Sequence, residues 1–77
     1  MPKLPRVSGR QAIQVFERLG YEVVRQRGSH VRLRHPDGLR PPLTVPDHRE
    51  LKAGLLRALI RDAGITVDEF LRLVQGR

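Results

Sequence analysis

YEVVRQRGSHVRLRHPDGLRPPLTVP, residues 21–46, contains three short runs in which apolar and polar side chains alternate. Tyr21 and Val23 share a face in the first run, Val31 and Leu33 in the second, Leu43 and Val45 in the third, and period two is that of a half-buried strand. Gly28 separates the first two runs and Asp37-Gly38 the last two, so the stretch predicts an antiparallel three-stranded meander with one apolar face. Pro41 and Pro42 confine the third strand to an edge. The second strand is therefore central.

Register follows from the same six apolar residues. Pairing Val31 with Val45 and Leu33 with Leu43 keeps every arginine out of the core, whereas a slip of one residue would bury several. That register sets Pro46 opposite His30 and brings His48 near Gly28 at the start of the central strand. Between the first two strands, pairing Val23 with Val31 predicts a three-residue loop, Gln26-Arg27-Gly28. Side chains alternate, so His30, Arg32 and Arg34 project together from the other face of the sheet. His35 has the opposite parity and points toward the helix side.

Helices flank this sheet. Ser8-x-x-Gln11 is a capping box, Ala12, Ile13, Phe16 and Leu19 recur at helical spacing, and Gly20 supplies a stop, which predicts a helix over about 9–19. Leu55, Leu56, Leu59, Ile60 and Ala63 form one stripe of a second helix over about 53–63, ended by Gly64. Thr66-x-x-Glu69 caps a short third helix, with Ile65 and Phe70 at hydrophobic-staple spacing and Val67, Phe70, Leu71 and Val74 facing inward. Residues 1–7 read as an extended lead, because Pro2 and Pro5 forbid regular helix. Helix, three strands, helix and short helix, with all helices on one sheet face, make an α+β two-layer sandwich.

The 77 residues suffice for one domain over 1–77 and leave little room for an enclosed cavity. The chain has no cysteine, which removes thiolate metal sites and thiol nucleophiles and suits a reducing cytoplasm. No apolar run approaches the roughly 20 residues of a membrane span, and the N-terminus lacks the apolar core of a signal peptide. The expectation is a soluble, cytoplasmic protein. Net charge is +7, with +3 in residues 1–20, +3 in 21–40 and +1 in 41–77. Thirteen of the fifteen Lys and Arg are arginine, the residue of planar, bidentate phosphate recognition, so polyanions lead the list of partners. Thermal adaptation or genome composition accounts for arginine enrichment equally well.

The residues that carry chemistry cluster on the central strand. His30 is the titratable group, with Arg27, Arg32 and Arg34 the nearest cations, Gly28 and Ser29 in the turn before it, and His48 a second histidine on the following loop. On local pattern alone His30 reads either as a catalyst or as an ordinary surface histidine, and the arginines either as phosphate ligands or as a solvated strand face. Gly28 and Ser29 read equally as turn residues, and His48 as the end of a strand. No HxH or HxxxH spacing occurs, which argues against a metal site. Tyr21, Phe16 and Phe70 are all assigned to the core, which argues against base stacking as the main mode of nucleic-acid binding.

The order of landmarks resembles that of the HicA-type toxins of bacterial and archaeal toxin–antitoxin modules. The likeness runs through VSGRQAIQVFERLGYEVVRQRGSH, then LTVPDH, then LKAGLLRALIRDAGITVDEFLRLV, with Gly28-Ser29-His30, the Pro46-x-His48 loop and Gly-Ile-Thr-x-x-Glu-Phe (64–70) as its marks. The resemblance implies a double-stranded-RNA-binding-domain-like fold, α-β-β-β-α, in accord with the order read above. It further implies metal-independent cleavage of mRNA, no cofactor, His30 as the catalytic histidine, and a HicB-type antitoxin as partner. One departure is visible: Gly54-Leu55-Leu56 stands where family members often have Gly-Thr-Leu, so a hydroxyl near the start of the second helix is missing. The alternative is a non-catalytic RNA-binding module of the same fold, and a third class is a protein-interaction domain whose charge serves an acidic partner.

Overall fold

The computed structural model describes residues 4–76, which form α1 (Gly9–Arg18), β1 (Glu22–Arg27), β2 (His30–Arg34), β3 (Leu43–Pro46), α2 (Ala53–Asp62) and α3 (Val67–Val74). The three strands form one antiparallel sheet in the order β1-β2-β3, with β2 central. The α+β architecture expected from the alternation and the capping boxes is the one observed. Of the N-terminal lead, residues 4–8 are non-helical and residues 1–3, with Pro2, lie outside the described residues. Among the described residues no helix is long and apolar enough to cross a membrane.

Both capping boxes form. Ser8 Oγ accepts from the Gln11 amide at 3.1 Å while the Ser8 amide donates to Gln11 Oε1 at 2.9 Å. Thr66 and Glu69 exchange the same pair of bonds, both at 3.1 Å, at the start of α3. Each cap satisfies amides that the helix cannot, worth about 1 kcal/mol. Helix α2 has no such help: its N-cap is Lys52, whose side chain makes no capping bond. Leu55, where the departure from the family pattern lies, is 37% exposed in the first turn of α2, so the missing hydroxyl leaves no buried group unpaired.

The core sits between the helices and one face of the sheet. Val31, Leu33, Leu43 and Val45 from the sheet meet Phe16, Leu56, Leu59, Ile60 and Phe70 from the helices and Ala63 at the end of α2, all nearly inaccessible to solvent. Phe16 is the hub, with ring centroids 5.9 Å from Phe70 and 6.1 Å, edge-on, from Tyr21. The Tyr21 hydroxyl escapes the burial penalty by donating to the Pro41 carbonyl at 2.9 Å. Burial still pushes its ionisation up from the ordinary 10.0. In α3 Leu73, rather than Leu71, joins Val67 and Val74 against the core.

The register between β2 and β3 is the one read from the sequence: Val31 faces Val45, Leu33 faces Leu43, and His30 faces Pro46. Between β1 and β2 the expectation fails. Val23 pairs with Leu33, not Val31, and Arg27 pairs with His30, so the connection is a two-residue turn, Gly28-Ser29. Gly28 at φ +60° occupies the first central position, the pattern of a type II′ hairpin turn. The ladder slips between Val23 and Arg25, where Val24 is the extra residue of a β-bulge. Val23 faces the helix layer but remains 45% exposed, because the helices pack over β2 and β3 and leave β1 projecting.

Candidate nucleic-acid interface

On the face of β2 turned away from the core stand His30, Arg32 and Arg34. Residues directly opposite one another in antiparallel strands point to the same side, so Arg27 joins His30 there, Arg25 joins Arg32, and Glu22 joins Arg34. The bulge produces this arrangement. Strict alternation from Val23 would turn Arg25 and Arg27 toward the helix layer; the extra residue at Val24 reverses their parity and sends both outward.

Two cations thus lie directly across from each other, Arg25 and Arg32, and Arg27 faces the His30 imidazole. Like charges in such positions destabilise a sheet. Counter-charges do not relieve them: among the described residues the ion pairs engage Arg6, Arg10, His35, Arg40 and Arg61, and none engages Arg25, Arg27, Arg32 or Arg34. Arg32 is oriented by a neutral partner, its Nη1 donating to Thr44 Oγ1 on β3 at 2.8 Å. A neutral ligand fixes the guanidinium while leaving its charge free for an anion.

His30 is exposed at the turn end of this stripe. The one histidine ring held by hydrogen bonds among the described residues is that of His35. As its parity predicts, His35 lies toward the helix layer, with Nε2 2.9 Å from the Leu19 carbonyl and its ring edge-on to Tyr21 at 5.0 Å. On its other side, His35 Nδ1 lies 3.2 Å from the Asp37 amide and 3.1 Å from Asp37 Oδ1, so both ring nitrogens are engaged by the protein. His35 is a structural histidine, whereas His30 keeps both ring nitrogens for a ligand.

His48 sits on the loop after β3, exposed. That loop is pinned at both sides, the Asp47 amide donating to the Ser29 carbonyl at 2.6 Å and the Gly9 amide to the His48 carbonyl at 2.8 Å. Arg10 adds an ion pair to Asp47 at 3.3 Å. Gly9 permits this because any Cβ there would collide with the Pro46 carbonyl. The structure therefore brings Arg27, Gly28, Ser29, His30 and Arg32 together at the turn end of the sheet, with the His48 loop against Ser29 and Arg34 at the far end of the stripe. Among the described residues no three His, Asp or Glu converge into a metal-binding group.

A family model described as the HicA toxin of bacterial toxin–antitoxin systems matches residues 9–65. The chain belongs to the HicA toxin family. The match runs from the first residue of α1 past the end of α2, and so includes the whole sheet and the turn that presents His30. Membership in the HicA family makes the chain the toxin component of a toxin–antitoxin module. No curated protein matches it.

Arg25 and the Val24 bulge are what sequence reading missed. The signal was present in Val23-Val24, two adjacent aliphatics that break period two, and in the parity of Arg25 and Arg27, which strict alternation would turn inward.

Proposed function

We propose that this HicA-family toxin is an endoribonuclease that cleaves mRNA in the cytoplasm, with His30 as its proton-transfer group. The observation that carries this reading is an exposed imidazole, unengaged by its own protein, set among arginines that no carboxylate neutralises. A surface histidine serving only solubility would not require the like-charge cross-strand pair Arg25–Arg32 and a further arginine, Arg27, around it.

RNA supplies its own nucleophile. The His30 imidazole takes the proton of a ribose 2′-hydroxyl as its oxygen attacks the adjacent phosphorus. The 5′-oxygen leaves, and the products are a 2′,3′-cyclic phosphate and a 5′-hydroxyl end. Arg27 and Arg32, beside and one step along from His30, stabilise the charge that gathers on the phosphoryl oxygens, and Arg34 extends the binding track. The Gly28-Ser29 turn lets the backbone approach the RNA closely, and His48 flanks the same end. Arg27, directly across from His30, cannot donate a proton near neutrality, so the leaving oxygen takes its proton from water or from the imidazolium just formed. Proton transfer and charge stabilisation are both provided by side chains, which makes the reaction metal-independent. Such assistance is worth about 10²–10⁴-fold, suited to a slow toxin.

The restraint a toxin needs is supplied, on this reading, by a HicB-type antitoxin whose acidic surface covers the cationic sheet face. Inducible expression of the wild type and of His30→Ala tests the function: the wild type arrests growth and degrades cellular mRNA, and the variant, accumulating to the same level, does neither. Growth arrest with intact mRNA would favour an RNA-binding module that blocks translation without cleaving.

A further inference from the structure

Beyond the turn end of the sheet, the outer face opens into a shallow cleft of about 560 Å³ lined by Arg25, Arg32, Arg34 and Arg40, with Val24 and Pro42 between them. Four guanidinium groups on one cleft are an unfavourable grouping for a free protein. The described ion pairs neutralise only Arg40, whose Nε lies 3.5 Å from Asp37 Oδ2. Glu22 stands opposite Arg34 without forming an ion pair. Asp37 serves a second purpose: its Oδ1 accepts from the amides of Leu39 at 2.9 Å and Arg40 at 3.2 Å, which fixes the loop that carries Arg40 beside the sheet. The bulge at Val24 sets Arg25 on this face and leaves Val24, 55% exposed, beside it.

We propose that this cleft is a second phosphate-binding subsite for the RNA strand that His30 cleaves, holding a phosphodiester further along the chain than the scissile one, with Arg25 and Arg40 as its ligands in addition to Arg32 and Arg34. The proposal rests on the nuclease reading for its substrate. Arg32 is shared between the two ends, and Arg34 lies four residues from His30, about 13 Å along the strand. A single extended RNA strand laid along β2 therefore meets His30 at one end and the cleft at the other. Val24 and Pro42 offer apolar surface to sugar or base between the phosphates, since Phe16, Tyr21 and Phe70 are buried in the core. The cleft makes the toxin require RNA that continues past the cut on one side.

The test uses Arg25→Ala, Arg40→Ala and the double variant of the full chain, with oligoribonucleotides extended by several nucleotides on the 5′ or the 3′ side of the cleaved bond. For the wild type, extension on one side only lowers KM; in the double variant that gain disappears, with kcat on saturating substrate unchanged. Binding is measured separately, by fluorescence anisotropy on RNA carrying 2′-deoxyribose at the scissile position. Each lost guanidinium weakens binding about tenfold, as for hydrogen bonds to charged groups. The slope of log K against log salt falls by about 0.7 per lost contact on single-stranded RNA. Arg25→Ala also leaves Tm equal to or above that of the wild type, since it removes a like-charge pair, and a merely structural arginine would lower it.

A KM gain from extension that survives in the double variant, with unchanged affinity and salt slope, overturns the proposal. Unchanged RNA affinity with weakened binding of an acidic partner protein overturns it too, and assigns the cleft to that protein. If the wild type cleaves nothing while the variants lose RNA affinity and salt slope as stated, the nuclease reading fails and the subsite stands.

Discussion

The two ladders of the sheet share β2 and obey different constraints. Between β2 and β3 the pairing is regular, its inward residues Val31, Leu33, Leu43 and Val45 lie under the helices, and its one polar contact across the outer face, Arg32 to Thr44, is neutral on one side. Between β1 and β2 the pairing is bulged, the inward Val23 is half exposed, and one outward pair, Arg25 with Arg32, sets cation against cation. The first ladder is shaped by burial. In the second, local rules of sheet stability are broken at several adjacent positions, which is where function is expected to reside.

Deletions should break this comparison most sharply. Removing Thr44 throws Leu43 and Val45 onto opposite faces, so one apolar side chain leaves the core. Burial of such a side chain is worth about 1.5–3 kcal/mol, and an arriving polar neighbour adds to the loss, enough to unfold much of a small domain. Removing Val24 instead deletes the residue that interrupts the ladder and leaves Val23 with Leu33 and Arg25 with Arg32 still in step. Urea denaturation should show a near-native midpoint for the Val24 deletion and a collapsed one for the Thr44 deletion.

Truncations sharpen the same contrast at smaller scale. Leu33→Ala, under the helices at 0% exposure, should cost about 2–5 kcal/mol. Val23→Ala, its partner in the other ladder, should stay within about 0.5 kcal/mol. Equal losses would mean that the projecting part of β1 is covered after all.

Acid titration probes the loop joining the two ladders and should have the smallest effect. The Leu39 amide, helped by the Arg40 amide and nearby cations, holds Asp37 below its ordinary 3.8 in the folded state. A lowered folded value means that stabilisation is present above about 3.8 and is lost as pH falls through the folded value. In Asp37→Asn that part of the acid-side fall in Tm should be missing, because Tm near neutrality is already lowered by the same small increment.

How far the sequence foretold this structure follows the same division. The β2–β3 register was legible because four apolar residues at period two admit one alignment that keeps arginine out of the core. Both capping boxes were legible because their partners are three residues apart. The β1–β2 register was not: an inserted residue reverses parity without leaving a motif, and the expected Val23–Val31 pair and three-residue loop follow from assuming unbroken alternation. Gly9 was not legible either, since its need for no side chain arises from Pro46, distant in sequence and adjacent only in the fold. For the site, His30, Arg32 and Arg34 could be placed on the outer face from parity. Arg25 and Arg40 could not, because one depends on the bulge and the other on a loop folded back by Asp37.

On the proposed reading, His30 performs chemistry on a face whose arginines perform binding. Purified wild type and His30→Ala, compared on the same RNA with a metal chelator present, test it most directly when cleavage and affinity are measured in parallel. The wild type should cut, leaving a 2′,3′-cyclic phosphate, and His30→Ala should bind the RNA within a fewfold of wild type but cut about 10²–10⁴-fold more slowly. A folded His30→Ala protein that cleaves at the wild-type rate would contradict it.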